Sequence, residues 1–318
     1  MNALTDQQTM LNLAFFADID LNQSGGSKCA DALKAAEAIE KKLCDMAWGI
    51  VWGPAVYSFV APGKDKERRF DNLVYVATNA ANDYVVAIAG TNAKALLDWL
   101  LEDLAVHDMV QWPFGTSGDA GRISSATHTG LSILLSIMPC PGLRGAGQDL
   151  LEFLGSAAQG KAINVSTTGH SLGGALSPAL AQALVDQRAK WDTSGQSTVA
   201  PYAFAGATPG DAAFAAYFQS NFPNFVRVWN ALDVVPHAWE VTQLEEIAGL
   251  YGPKVQEVQD IVTKLVNKVK DDNYTQLGAG LAFPGPKPVQ APTDLKTFLD
   301  EAYTQHVTAY LKWANPTG

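Results

Sequence analysis

One stretch constrains this chain more than any other: Gly169-His170-Ser171-Leu172-Gly173-Gly174, lying between the extended run Ala162–Thr168 and a helical run from Gly174 to Lys190. A bare G-x-S-x-G turns up by chance in roughly one chain in ten of this length. At a switch from strand to helix it means more. A sharp turn there lifts the serine hydroxyl above the sheet edge, and glycines flank it because a Cβ would clash inside the turn. The start of the helix also aims free N–H groups and a positive dipole end at the same spot, which suits an oxyanion.

The surroundings alternate as such a turn requires. A helix is expected from Leu143 to Ala158, a helix over Ala212–Asn221, and strands at Pro201–Ala205 and Phe225–Trp229. Strands alternating with helices imply crossover connections and a mainly parallel sheet, hence an α/β fold. Upstream, Leu73–Thr78 and Tyr84–Ala89 flank the turn-forming Asn79–Asp83 and read as a hairpin. Leu33, Ala36, Ile39, Leu43 and Met46 mark one face of a helix within 30–47, and Val255–Val269 is a second amphipathic segment. A Pro-rich loop (Pro284, Pro286, Pro288, Pro292) leads to a last helix near Leu295–Tyr310. No linker divides two cores, so one domain over 1–318 is expected.

Composition removes several functions. The net charge is −10 and there is no basic arm, which argues against nucleic acid, since such binding draws on Lys and Arg meeting phosphates. The run Lys64–Arg69 mixes both signs and reads as a solvated loop. Gly155–Lys161 nearly spells a phosphate loop, but Ala162 follows where Ser or Thr belongs, and the stretch precedes a strand. No metal-ligand spacing appears, so no cofactor or metal is implied. Cys29 and Cys44 would lie about 22 Å apart on one continuous helix, too far to bridge; with Cys140 they read as reduced, buried thiols. The apolar stretch Leu11–Ala17, bracketed by Asp6 and Asp18, is not a signal peptide, and no run is long enough to span a membrane. A soluble protein is expected, either cytoplasmic or a mature secreted form.

Gly169–Gly174 resembles the nucleophile motif of the fungal-type, or class 3, lipases. Ala89-Gly90-Thr91 is similar to the family's oxyanion segment, and Asp98-Trp99-Leu100 through Asp103-Leu104 to its lid. His128-Thr129-Gly130 resembles the next short motif, and Asn230-Ala231-Leu232-Asp233-Val234-Val235-Pro236-His237 the acid segment. The resemblance spans 70–310 and leaves residues 1–70 unmatched as an N-terminal extension. It implies an α/β-hydrolase fold with a mainly parallel central sheet, flanking helices and a helical lid. It also implies a carboxylic ester hydrolase acting through a Ser-Asp-His triad and an acyl-enzyme. Two departures stand out. Tyr310 lies four residues after His306, where the family usually has a tyrosine at three, and the stretch between Asp233 and His306 is longer than usual.

A serine nucleophile needs a base, and the imidazole needs an acceptor to fix its tautomer. In α/β-hydrolases the order is Ser, then Asp or Glu, then His. His107 and His128 precede Ser171, and His170 is its neighbour, expected to point elsewhere. His306 is the first candidate; His237 is the second, but only four residues separate it from Asp233, leaving little chain to bring both to the serine. Asp233 is the expected acid. Its rival Asp211 more naturally caps the helix that follows it. The resemblance assigns the oxyanion hole to Thr91 and the N–H of Leu172.

Asn92–Leu104, read as a helix, places Lys94, Asp98 and Glu102 on a narrow polar stripe beside a wide apolar surface with Trp99. It reads either as a buried core helix or as the lid. The partner expected is therefore a lipid or other ester, met at a lipid–water interface, with no protein partner implied. The alternatives are an esterase for soluble or aromatic esters, like the feruloyl esterases that share the family, and an inactive scaffold that binds.

Overall fold

The computed structural model describes residues 5–19, 27–60, 69–90, 108–115 and 120–315. Among these, seven strands form one sheet. β1 (Trp48–Val60), β2 (Arg69–Asn79) and β3 (Asp83–Ile88) run antiparallel; β3, β6 (Asn164–His170), β7 (Thr198–Phe204), β8 (Val226–Asn230) and β9 (Ala279–Phe283) run parallel, in the order β1-β2-β3-β6-β7-β8-β9. The short strands β4 (Met109–Gln111) and β5 (Arg122–Ser124) pair separately. The mainly parallel α/β sheet expected from the sequence is present, flanked by helices.

Both faces of the sheet are covered, and the period-two alternation of strand side chains divides them. Val74, Val76, Val86 and Ile88 pack toward Leu176, Leu180 and Leu184 of the helix following Ser171. Leu73, Tyr75, Ala77, Val85 and Ala87 pack on the other face against Leu11, Leu13 and Ile39. The two adjacent threonines of β6 follow the same alternation. Thr167 donates its hydroxyl to the Ser177 carbonyl at 2.8 Å, and Thr168 to the Met10 carbonyl at 2.9 Å. Each hydroxyl is buried but satisfied, as a polar group in a core must be.

That second face is supplied by the stretch left unmatched in sequence. Helix α1 (Asp6–Ala17) starts with a capping box of Thr5 and Gln8 and buries Met10, Leu11, Leu13, Ala14 and Ala17. The apolar stretch at Leu11–Ala17 is thus a core helix, tied down further by Tyr75 Oη donating to the Leu13 carbonyl at 2.7 Å. Helix α2 (Lys28–Cys44) packs beside it through Ala35, Ile39 and Leu43.

The cysteine expectation is overturned. Cys29 and Cys140 form a disulfide with Cα atoms 5.5 Å apart, and Cys44 is an exposed thiol. The spacing of Cys29 and Cys44 excluded a bridge within one helix, but could not reveal a partner 111 residues away. The helix expected from Leu143 also starts late. Gly145 and Gly147 have φ of +69° and +80°, so helix α4 (Leu150–Ala157) begins only after its cap at Asp149; helix α3 (Ser125–Ser136) precedes it. Further helices are α5 (Leu172–Asp186), α6 (Ala212–Asn221), α7 (Gln256–Val269), α8 (Leu295–Tyr303) and α9 (Ala309–Ala314). Among the described residues, no helix is long and apolar enough to cross a membrane.

Candidate active site

The turn at the end of β6 is as tight as its glycines imply. A Cβ on Gly169 would lie 2.2 Å from the Gly173 carbonyl carbon, and one on Gly173 would lie 2.2 Å from the Ile88 carbonyl oxygen. Ser171 itself sits at φ 61°, ψ −123°, a strained backbone for a residue with a Cβ and one that persists only where the surroundings over-determine it. Here they do: the Ser171 N–H donates to the Phe204 carbonyl at 3.0 Å, fastening the turn to the neighbouring strand. Leu172 opens α5, so its N–H has no partner within the helix.

Asp233 is delivered by the turn after β8. Its N–H donates to the Asn230 carbonyl at 3.0 Å, while the Asn230 amide donates at 2.9 Å to the Gln305 carbonyl. Asn230 therefore ties the acid segment to the one bearing His306. That segment is a π turn, Thr304–Thr308, between α8 and α9. π turns are rare and recur at functional sites because they insert one residue into a helix and re-aim a side chain. The inserted residue accounts for the four-residue interval between His306 and Tyr310.

The structure brings Ser171, His306 and Asp233 together. His306 Nε2 accepts from Ser171 Oγ at 2.8 Å, and Nδ1–H donates to the Asp233 carboxylate at 2.8 and 3.0 Å. Tyr310 Oη donates to Asp233 Oδ2 at 2.9 Å, and the Val235 N–H donates to Oδ1 at 3.0 Å. Every oxygen of this fully buried carboxylate is held, as a buried charge requires. Ser171 is 1% exposed and His306 0%.

The other histidines play supporting parts. His170 does not point away from the site: Nε2–H donates to the His306 carbonyl at 2.8 Å, and the two rings lie 4.7 Å apart. Burial, with His306 beside it, lowers its pKa well below the usual value, so it stays neutral. His237 donates Nδ1–H to the Asp233 carbonyl at 2.7 Å and touches the underside of the acid turn, not Ser171. Asp211 caps α6 through the Phe214 N–H and pairs with Arg122 at 3.0 Å. Thr91 and the candidate lid, Asn92–Leu104, lie outside the described residues. Tyr310 was missed in sequence as a partner of the acid; its displacement by one position from the usual interval was the available signal. No cluster fit to hold a metal occurs among the described residues.

An α/β sheet that brings a buried serine, histidine and aspartate into one hydrogen-bonded relay has the arrangement that serine hydrolases use. The class 3 lipase model matches residues 85–242, and over that stretch the chain is similar to that family. The structure of M37 lipase superposes with a TM-score of 0.85 at 28% identity, over 98% of this chain and 94% of that one. A variant of MDLA from Penicillium cyclopium is similar in fold alone, with a TM-score of 0.50 and 17% identity over 92% and 83% of the two chains. No curated protein matches the chain in sequence.

Proposed function

We propose that the protein is a lipase that hydrolyses triacylglycerols, with Ser171 as nucleophile, His306 as base and Asp233 as the acid that orients it. The observation carrying this reading is the unbroken relay from Ser171 Oγ through His306 to Asp233. Ser171 Oγ attacks the ester carbonyl carbon as its proton passes to His306 Nε2. The tetrahedral intermediate collapses, and the alcohol leaves with that proton. Water then attacks the acyl-serine, again giving its proton to His306; the second tetrahedral intermediate collapses, Ser171 Oγ leaves with that proton, and the fatty acid is released. Asp233 holds the imidazole in the tautomer with Nε2 free to accept and stabilises the imidazolium.

The oxyanion would be met by the N–H of Leu172 and by Thr91. Each such donor is worth about 3–4 kcal/mol of transition-state stabilisation. An ester would reach the buried Ser171 after a local opening; the sequence Asn92–Leu104, wide in apolar residues and carrying the amphipathic Trp99, suits a lid that meets lipid. One domain carries the whole apparatus, with residues 1–70 as part of it.

The test combines variants and substrate form. Ser171→Ala and His306→Ala each abolish hydrolysis of a nitrophenyl ester, and the double variant is hardly worse, because such residues act as a unit. His237→Ala loses far less. Activity rises abruptly as a short-chain ester passes its solubility limit, and Trp99→Ala harms emulsified triglyceride more than dissolved ester. Smooth saturation through that limit, with Trp99→Ala affecting both equally, moves the assignment to an esterase for soluble esters.

A further inference from the structure

Asp18 caps the C-terminal end of α1, and the relay just described does not use it. Its Oδ1 accepts the Gly90 N–H at 2.6 Å across 72 residues of sequence. Gly90 directly follows the last sheet bond at the end of β3, Ala89 N–H to the Leu73 carbonyl at 2.8 Å. From there the ladder no longer supplies an acceptor, and the carboxylate takes its place. On its other side the Gly90 backbone presses on the nucleophile turn. A Cβ there would lie 3.1 Å from Ser171 Cβ and 2.9 Å from the His170 carbonyl oxygen. The backbone at Gly90 is therefore held between Asp18 and Ser171.

α1 is rigidly placed to do this. It is fastened by Thr168 and Tyr75 to the Met10 and Leu13 carbonyls, and the Phe15 ring lies 4.9 Å from that of His170. The groups acting on Asp18 are Lys42 from α2, His306 from the π turn, Tyr57 from β1 and Tyr75 from β2. Solvent still reaches the carboxyl, yet the protein crowded about it displaces bulk water. That desolvation raises its pKa from 3.8 to about 7, against the opposing pull of Gly90, His306 and Lys42. A carboxylate placed on a strand-end N–H beside Ser171 calls for a role.

We propose that Asp18 is a positioning residue of the hydrolytic site: by holding the Gly90 N–H it fixes the chain leaving β3 against Ser171. The proposal rests on Ser171 being the nucleophile. A charge-assisted bond of this kind is about twice as strong as a neutral one, and a displacement of about 1 Å near reacting groups costs on the order of 100-fold in rate.

The experiment compares Asp18→Ala with Asp18→Asn at pH 8 on a dissolved nitrophenyl ester, with active sites counted by an organophosphonate. Asp18→Ala loses about 10- to 100-fold in kcat per labelled site while KM changes by less than about twofold. Asp18→Asn keeps an oxygen for the Gly90 N–H and recovers to within about threefold of wild type. A kcat per labelled site unchanged in Asp18→Ala, or an Asn variant no better than Ala, overturns the proposal. Labelling at a residue other than Ser171 in the wild type instead overturns the nucleophile assignment, and is read before any kinetic comparison.

Discussion

Replacing Tyr310 with Phe isolates the support beneath the acid. The phenol is fully buried, and its hydroxyl sits between two groups. It accepts the Asn230 N–H at 2.8 Å and donates to Asp233 Oδ2 at 2.9 Å. Burial, then the charge of Asp233, raises its pKa well above 10, so it remains a donor over the whole working range. Phenylalanine keeps the ring contacts with Phe283 and His170, at 5.1 and 5.0 Å between centroids, and deletes both hydrogen bonds. A bond to a charged group is worth about 1.5–3 kcal/mol, and an orphaned buried N–H costs about 1–3 kcal/mol. Because one hydroxyl serves both and the turn relaxes in part, the net loss is about 2–4 kcal/mol. Unfolding entropy of about 2.1 cal/mol/K per residue makes this a fall of roughly 3–6 °C in Tm. Catalysis suffers less. Asp233 still holds His306 through both oxygens and still accepts from Val235, so kcat falls about tenfold, against about 10,000-fold for Asp233→Asn, where the tautomer is lost. Thermal melts and nitrophenyl butyrate kinetics on both variants decide it. A Tm within about 1 °C of wild type, or a kcat loss equal to that of Asp233→Asn, refutes the division of labour drawn here.

The remaining predictions concern the disulfide and pH. The Cys29–Cys140 bond closes a loop of 111 residues, so Cys29→Ser with Cys140→Ser, or a reductant, destabilises by up to about 4–5 kcal/mol and lowers Tm, whereas Cys44→Ser leaves the melt unchanged. Asp18 has a folded pKa of about 7 against 3.8; the folded state therefore binds its proton more tightly, and stability falls as pH rises from about 4 to about 7. Asp18→Asn removes that loss. Its Tm gains on wild type between pH 4 and pH 8 and levels off above; a difference constant with pH contradicts this.

What the sequence disclosed and what it hid have physical reasons. The turn at Ser171 was legible because backbone crowding admits only glycine at 169 and 173, and such a constraint leaves letters in the chain. Asp233 and His306 were chosen from chain order together with the family resemblance, against Asp211 and His237, and the structure brings them beside Ser171; α6 was bounded correctly by its Asp211 cap. β1 was hidden because Gly53 and Pro54 interrupt it, and its pairing with β2 shifts register between Ile50 and Trp52 and again between Trp52 and Ala55. That breaks the alternation by which strands are recognised. β9 is short and largely exposed, so it carries no apolar face to read. The π turn changes no residue type, only an interval of one. The disulfide and the Asp18–Gly90 bond join positions 111 and 72 residues apart, and nothing local marks either end.

The central claim, that Ser171 is the nucleophile of this relay, is tested most directly by covalent trapping. Wild-type protein treated with an organophosphonate and analysed by peptide mass spectrometry carries one adduct, on the peptide bearing Ser171, and loses ester hydrolysis in step with labelling. Ser171→Ala takes up no label and is inactive, with its melting temperature retained. An adduct on any other residue, or hydrolysis surviving in Ser171→Ala, contradicts the account.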